Sequence, residues 1–122
     1  MRLFDDGFLQ LLKPALGKEP ISFVGLGVHD FQLTFGIHAQ NFLRVDFQLQ
    51  GTSYTWDDGP CAAPVWLLIG QTPTDAVLMS EGVLQLSMAS GDWVRLYTDE
   101  APYESQTFLW SDVNGAPIFE VF

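Results

Sequence analysis

A chain of 122 residues that is 48% hydrophobic and 16% charged reads as one globular domain, long enough to bury a core without metal or disulfide support. The formal net charge of −10 excludes the classes that reward Lys and Arg, nucleic-acid and anionic-membrane binders, and the single cysteine, Cys61, excludes an intrachain disulfide framework. The opening Met-Arg-Leu-Phe-Asp-Asp places acids where a signal peptide needs an apolar run, and no stretch approaches the ~20 apolar residues of a membrane span, so a cytoplasmic protein is expected.

The charge is unevenly spread. Residues 1–50 hold four Lys and Arg against five acids, whereas residues 51–122 hold Arg95 against ten acids. Solubility alone would not need that asymmetry, which points to an acidic face in the second part.

In chain order, Phe4, Phe8, Leu11, Leu12 and Leu16 follow the spacing of an amphipathic helix. Asp5 and Asp6 suit its start, and Pro14 with Gly17 its stop, so a short helix is predicted over 5–13. From Pro20 the pattern turns to β. Strands are predicted at 21–28, 31–37, 42–50, 53–56, 65–70, 76–79, 83–88, 93–98, 105–110 and 118–121, with turns at Gly51, Asp57-Asp58-Gly59-Pro60, Ser90-Gly91-Asp92 and Asn114-Gly115. The clearest unit is a hairpin over 83–98, where Leu84, Leu86 and Met88 alternate with Gln85 and Ser87 ahead of an aromatic and β-branched return strand.

That hairpin has an earlier counterpart. With a shift of 53 residues, Phe31-Gln32-Leu33-Thr34-Phe35 falls on Leu84-Gln85-Leu86-Ser87-Met88. A turn two residues longer in the first copy, Gly36 to Asn41, then aligns Phe42-Leu43-Arg44-Val45 with Trp93-Val94-Arg95-Leu96, placing Arg44 and Arg95 at equivalent sites. The shift of 53 returns at Ala63-Pro64-Val65-Trp66 against Ala116-Pro117-Ile118-Phe119. The expectation is a mainly β domain (α+β at most): an antiparallel sandwich, barrel or curved sheet built from two related halves. Residues 1–19 form helix and linker, 20–72 the first repeat and 73–122 the second.

No catalytic constellation stands out. Cys61 has no nucleophile signature around it and reads as a packing residue. His29 and His38 lack metal-ligand spacing, and Asp57-Asp58-Gly59 lacks the alternating acids of a calcium loop. Neither an enzyme, a cofactor nor a metal is therefore expected. Trp66, in a wholly apolar run, reads as core, and Trp56, beside two acids, as partly exposed. The stretch 98–105, with Asp99, Glu100, Tyr103 and Glu104 around Pro102, suits protein recognition from a loop above a sheet.

A strand pair followed by Tyr103-Glu104-Ser105 resembles small β-rich immunity proteins of bacterial polymorphic and contact-dependent toxin systems, whose members carry Tyr-Glu-Ser or Tyr-Glu-Ala after such a pair. Gln106 and Thr107 stand where an aromatic often follows in those members. The resemblance implies a non-catalytic cytosolic protein that neutralises one cognate toxin, often a basic RNase or DNase. This chain's own charge map then nominates Trp56, Asp57, Asp58, Asp99, Glu100, Tyr103, Glu104 and Asp112 as partner-binding residues. The alternative is a ligand- or carbohydrate-binding β domain using exposed tryptophans.

Overall fold

The computed structural model describes residues 2–42, 44–56, 63–99 and 105–122. Helix α1 (Asp6–Leu12) starts where Asp5 caps it, its carboxylate accepting the Phe8 amide at 2.9 Å. Pro14 then confines the chain to a single 3-10 turn, Lys13–Ala15. Ten strands follow: β1 (Phe23–Leu26), β2 (Phe31–Thr34), β3 (His38–Asn41), β4 (Val45–Leu49), β5 (Thr52–Trp56), β6 (Pro73–Ser80), β7 (Val83–Met88), β8 (Trp93–Tyr97), β9 (Gln106–Ser111) and β10 (Pro117–Val121).

They form two open antiparallel sheets of five strands around one core, so the expected mainly β architecture holds and the barrel alternative drops out. The first sheet runs β1-β2-β3-β9-β10 and the second β5-β4-β8-β7-β6. Each sheet joins a three-strand meander from one half of the chain to a hairpin from the other. Exchanging each strand with the one five places later converts one order into the other. Neither half can bury its apolar face alone, and the crossed hairpins make the core common to both. Phe31 of the first sheet meets Phe47 and Trp56 of the second at ring distances of 5.1 and 5.6 Å. Helix α1 packs against β6 and sets Phe8 on Phe108 and Phe122 at 5.0 and 4.6 Å.

The strand ladders correct the residue alignment read from the sequence. With Phe31–Thr34 laid on Leu84–Ser87, Thr34 pairs with His38 and Ser87 with Trp93. Three residues lie in the first turn and five in the second, so the first is the shorter by two, not the longer. The supposed turn Gly36 to Asn41 contains β3, whose sequence His-Ala-Gln-Asn has one apolar residue and gave no alternation to read. The expected strand over 42–50 is confined to Val45–Leu49, because the chain crosses between sheets after Asn41. By register, the counterpart of Arg95 is Gln40, opposite Gln32 as Arg95 is opposite Gln85. Arg44 precedes β4, outside any strand, and Arg44 and Arg95 are not equivalent. The proposed match of Ala63–Trp66 to Ala116–Phe119 also fails, since the first lies in a 3-10 turn and the second enters a strand.

Two tryptophans exchange their expected roles. The apolar run at 65–70 forms a 3-10 turn, Val65–Leu68, instead of a strand. Val65 and Leu68 plug the core, while Trp66 points out, 66% exposed. A single turn can bury only one side, so an unbroken apolar run leaves some members in water. Trp56 is 4% exposed because it sits on the inward-facing row of β5, paired with buried Val45. Trp66→Phe is therefore expected to remove most of the acrylamide-quenchable fluorescence while changing stability by less than about 0.5 kcal/mol. Trp56→Phe should remove mainly the shielded, blue-shifted component. Emission spectra with and without acrylamide check both.

Candidate functional site

Because each sheet mixes strands of both halves, the charge asymmetry of the sequence does not become one acidic sheet. Several of the acids in 51–122 are committed to structure. Asp92 is buried, accepting the Gln50 amide at 2.9 Å and the Gln71 side-chain amide at 2.8 Å. Asp75 pairs with Lys13 at 3.5 Å, and Glu120 with Arg2 at 3.0 Å. Asp112 closes the β9–β10 turn by accepting the Asn114 and Ala116 amides at 2.8 and 2.9 Å.

The nominated residues fall into three groups. Asp57, Asp58, Glu100, Tyr103 and Glu104 lie outside the described residues, as does Cys61. Trp56 is a core residue and offers no exposed aromatic surface, contrary to expectation. Asp99 is exposed at the exit of β8. Asp112 follows the opposite end of β9 from Ser105, about 20 Å away along the strand, and is not gathered with Asp99.

Asp99 instead stands in a constellation that the sequence did not announce. Strands β5 and β8 flank β4, and both end at the same place, where Trp56 and Leu96 pair with Val45. Beyond that end, Thr98 is wholly buried and ties three segments together. Its hydroxyl donates to the Gly82 carbonyl at 2.9 Å and accepts the Phe4 amide at 3.1 Å, and its own amide donates to the same carbonyl at 2.8 Å. The Gly82 amide in turn donates to the Phe4 carbonyl at 3.0 Å. These bonds join the segments that carry Asp5 and Asp6, which follow Phe4, Glu81, which precedes Gly82, and Asp99, which follows Thr98. A cavity of about 410 Å³ opens between Phe4, Asp5, Asp6, Leu78, Ser80 and Glu81. Gly82 has φ +81°, and a Cβ there would stand 2.9 Å from the Asp99 Cβ, so the close approach needs glycine. Glu81 and Asp99 form no ion pair among the described residues. Asp5 and Asp6 read in sequence as helix-start signals, and Asp5 caps the helix through its carboxylate; that their segment meets those of Glu81 and Asp99 is visible only in the bonds around Thr98.

A second polar constellation lies on the outer face of β4 and β8. Asp46 is 8% exposed although it points away from the core. Its carboxylate accepts Arg44 Nε at 3.2 Å, Arg44 Nη2 at 3.1 Å and the Tyr97 hydroxyl at 2.7 Å. The Arg44 guanidinium lies 4.6 Å over the Tyr97 ring, and that of Arg95 4.2 Å over Trp93. Burial, then the hydrogen bond to Asp46 and its charge, pushes the Tyr97 hydroxyl above its ordinary pKa. On the first sheet, the amides of Gln32 and then Gln40 donate to the Asp30 carboxylate and hold its pKa below the usual range.

Among the described residues, no three His, Cys, Asp or Glu side chains gather to hold a metal ion, and no helix is long and apolar enough to cross a membrane. The chain matches no family model, no curated protein and no solved structure.

Proposed function

We propose that this protein is a non-catalytic immunity protein that binds a basic toxin domain, most naturally a nuclease, and blocks its cationic cleft with carboxylates. The observation that carries the reading is the meeting of acid-bearing segments at one end of the second sheet. Phe4, which precedes Asp5 and Asp6, and Gly82, which follows Glu81, are both bonded to Thr98, which precedes Asp99. Carboxylates held by buried backbone bonds approach a phosphate-binding surface already ordered, and their summed field steers a cationic partner. The fixed backbone around Thr98 gives the acids a rigid base without using them in the core.

The carbohydrate-binding alternative has less to work with. Trp56 and Trp110 are buried, and one face of Trp93 is taken by Arg95, which leaves Trp66 as an open platform.

The test pairs the purified protein with the product of the gene encoded next to its own. Glu81→Lys with Asp99→Lys is expected to slow association about 10-fold or more at low salt, to flatten the salt dependence and to leave the melting temperature nearly unchanged. Unaltered association kinetics in the folded double variant would sink the acidic-end reading.

A further inference from the structure

The two sheets offer an internal comparison, since equivalent register positions can be read on both outer faces. On the second sheet the outer rows carry charge and polarity: Thr55, Asp46, Arg95, Gln85 and Val77 in one, and Ser53, Gln48, Trp93, Ser87 and Asp75 in the next. The matching row of the first sheet reads Phe119, Leu109, His38, Thr34 and Phe23. Phe119 is 60% exposed, Phe23 49% and Leu109 44%. The neighbouring row is Val121, Thr107, Gln40, Gln32 and Gly25, with the Phe23 ring lying over Gly25. No Lys, Arg, Asp or Glu occupies either row, in a protein whose net charge is −10. Depletion of charge around exposed aromatics is the composition of an interface centre.

We propose that the outer face of the first sheet is a docking surface for a second protein, one that presents an apolar patch bordered by Lys or Arg. The row spans about 19 Å across five strands, enough for a cluster of anchor side chains. Two acids border the aromatic row: Asp30, which follows β1 at the β1–β2 turn and whose carboxylate reaches onto the neighbouring row to accept from Gln32 and Gln40 at 2.8 and 2.9 Å, and Asp112 at the β9–β10 turn across the sheet. A second copy of this chain would bring those acids and another net charge of −10 against a face with no cation to answer them. Charge complementarity therefore selects a cationic partner over self-association. This surface shares no residue with the acidic end around Thr98, so it goes beyond the inhibitory reading and stands or falls separately.

Site-specific photo-crosslinking in the native cells tests it. A photoreactive residue replaces Phe119 in one version and Ser53, its register counterpart on the other sheet, in a control. The expected result is an adduct at position 119, absent at 53, with one protein of high isoelectric point identified by mass spectrometry. That protein, purified, should bind the wild-type chain and bind the variant Phe23→Ser, Leu109→Ser, Phe119→Ser about 100-fold more weakly. These positions are exposed, and a circular dichroism melt checks that the variant stays folded. No adduct, equal adducts at both positions, an adduct with a second copy, or undiminished binding by the folded variant each overturns the proposal. The charge reversal of Glu81 and Asp99 reads the inhibitory function alone.

Discussion

Phe122→Ala is expected to destabilise the protein by about 3–5 kcal/mol, seen as a lowered midpoint in urea with little change in slope. Phe122 is wholly buried in an aromatic cluster, 4.6 Å from the Phe4 ring and 4.6 Å from the Phe8 ring. Its backbone is equally committed: its amide donates to the Gln106 carbonyl at 2.8 Å and its carbonyl accepts the Ser105 amide at 2.6 Å. The truncation would leave a cavity between β9, helix α1 and the segment of Phe4. Those surroundings are held by the Thr98 bonds and collapse only partly, which puts the cost at the upper end for a core aromatic. Phe122→Leu, which refills much of the volume, should recover more than half of the loss. An alanine variant within about 1 kcal/mol of wild type would show that the cluster does not anchor the fold.

Asp46→Ala is the second large effect, expected at about 2–3 kcal/mol. The change removes an acceptor of two bonds from Arg44 and one from Tyr97, and leaves the Tyr97 hydroxyl, at a site 8% exposed, without that partner. Charge-assisted bonds are the stronger kind, and a polar group left behind in a water-poor site bears its desolvation cost. Asp46→Asn keeps the shape and one acceptor, and should fall between wild type and alanine. The same constellation predicts a pH dependence. The folded pKa of Tyr97 lies above its unfolded value, so above about pH 10 the folded state holds more protons than the unfolded one. This contribution is complete below that pH and is lost as pH rises further. Denaturation at pH 9 to 11 should show stability falling with pH, with a shallower fall in Tyr97→Phe. Equal slopes in the two proteins would contradict the coupling.

The β character, the start and stop of helix α1 and the hairpin of β7 and β8 were legible because each rests on local signals: alternation with period two, a capping Asp5 and turn residues at Ser90-Gly91-Asp92. Strand β3 was not, since its one buried apolar residue is Ala39 and its other inward residue is Asn41, which donates to Gln106 at 2.7 Å inside the core. A polar pair can replace an apolar one when its partner comes from far along the chain, and no local pattern reports that partner. The exchange of Trp56 and Trp66 has the same origin. Neighbouring charge made Trp56 look exposed and neighbouring apolar residues made Trp66 look buried, but burial follows the face of the element, and faces are assigned only by packing.

The sequence by itself determined composition, strand content, helix capping and an excess of acids late in the chain, all properties of residues and near neighbours. The tertiary structure decided where those acids stand. Hairpin exchange between the halves scattered some of the acids into turns, buried bonds and ion pairs, while the bonds of Thr98 joined the segments that carry Asp5, Asp6, Glu81 and Asp99. It also decided that Phe23, near the start of the chain, shares one exposed row with Leu109 and Phe119 of the last hairpin. Both surfaces are products of long-range strand register. That register is fixed by which side chains fill the common core, a condition on the whole chain that no local window contains.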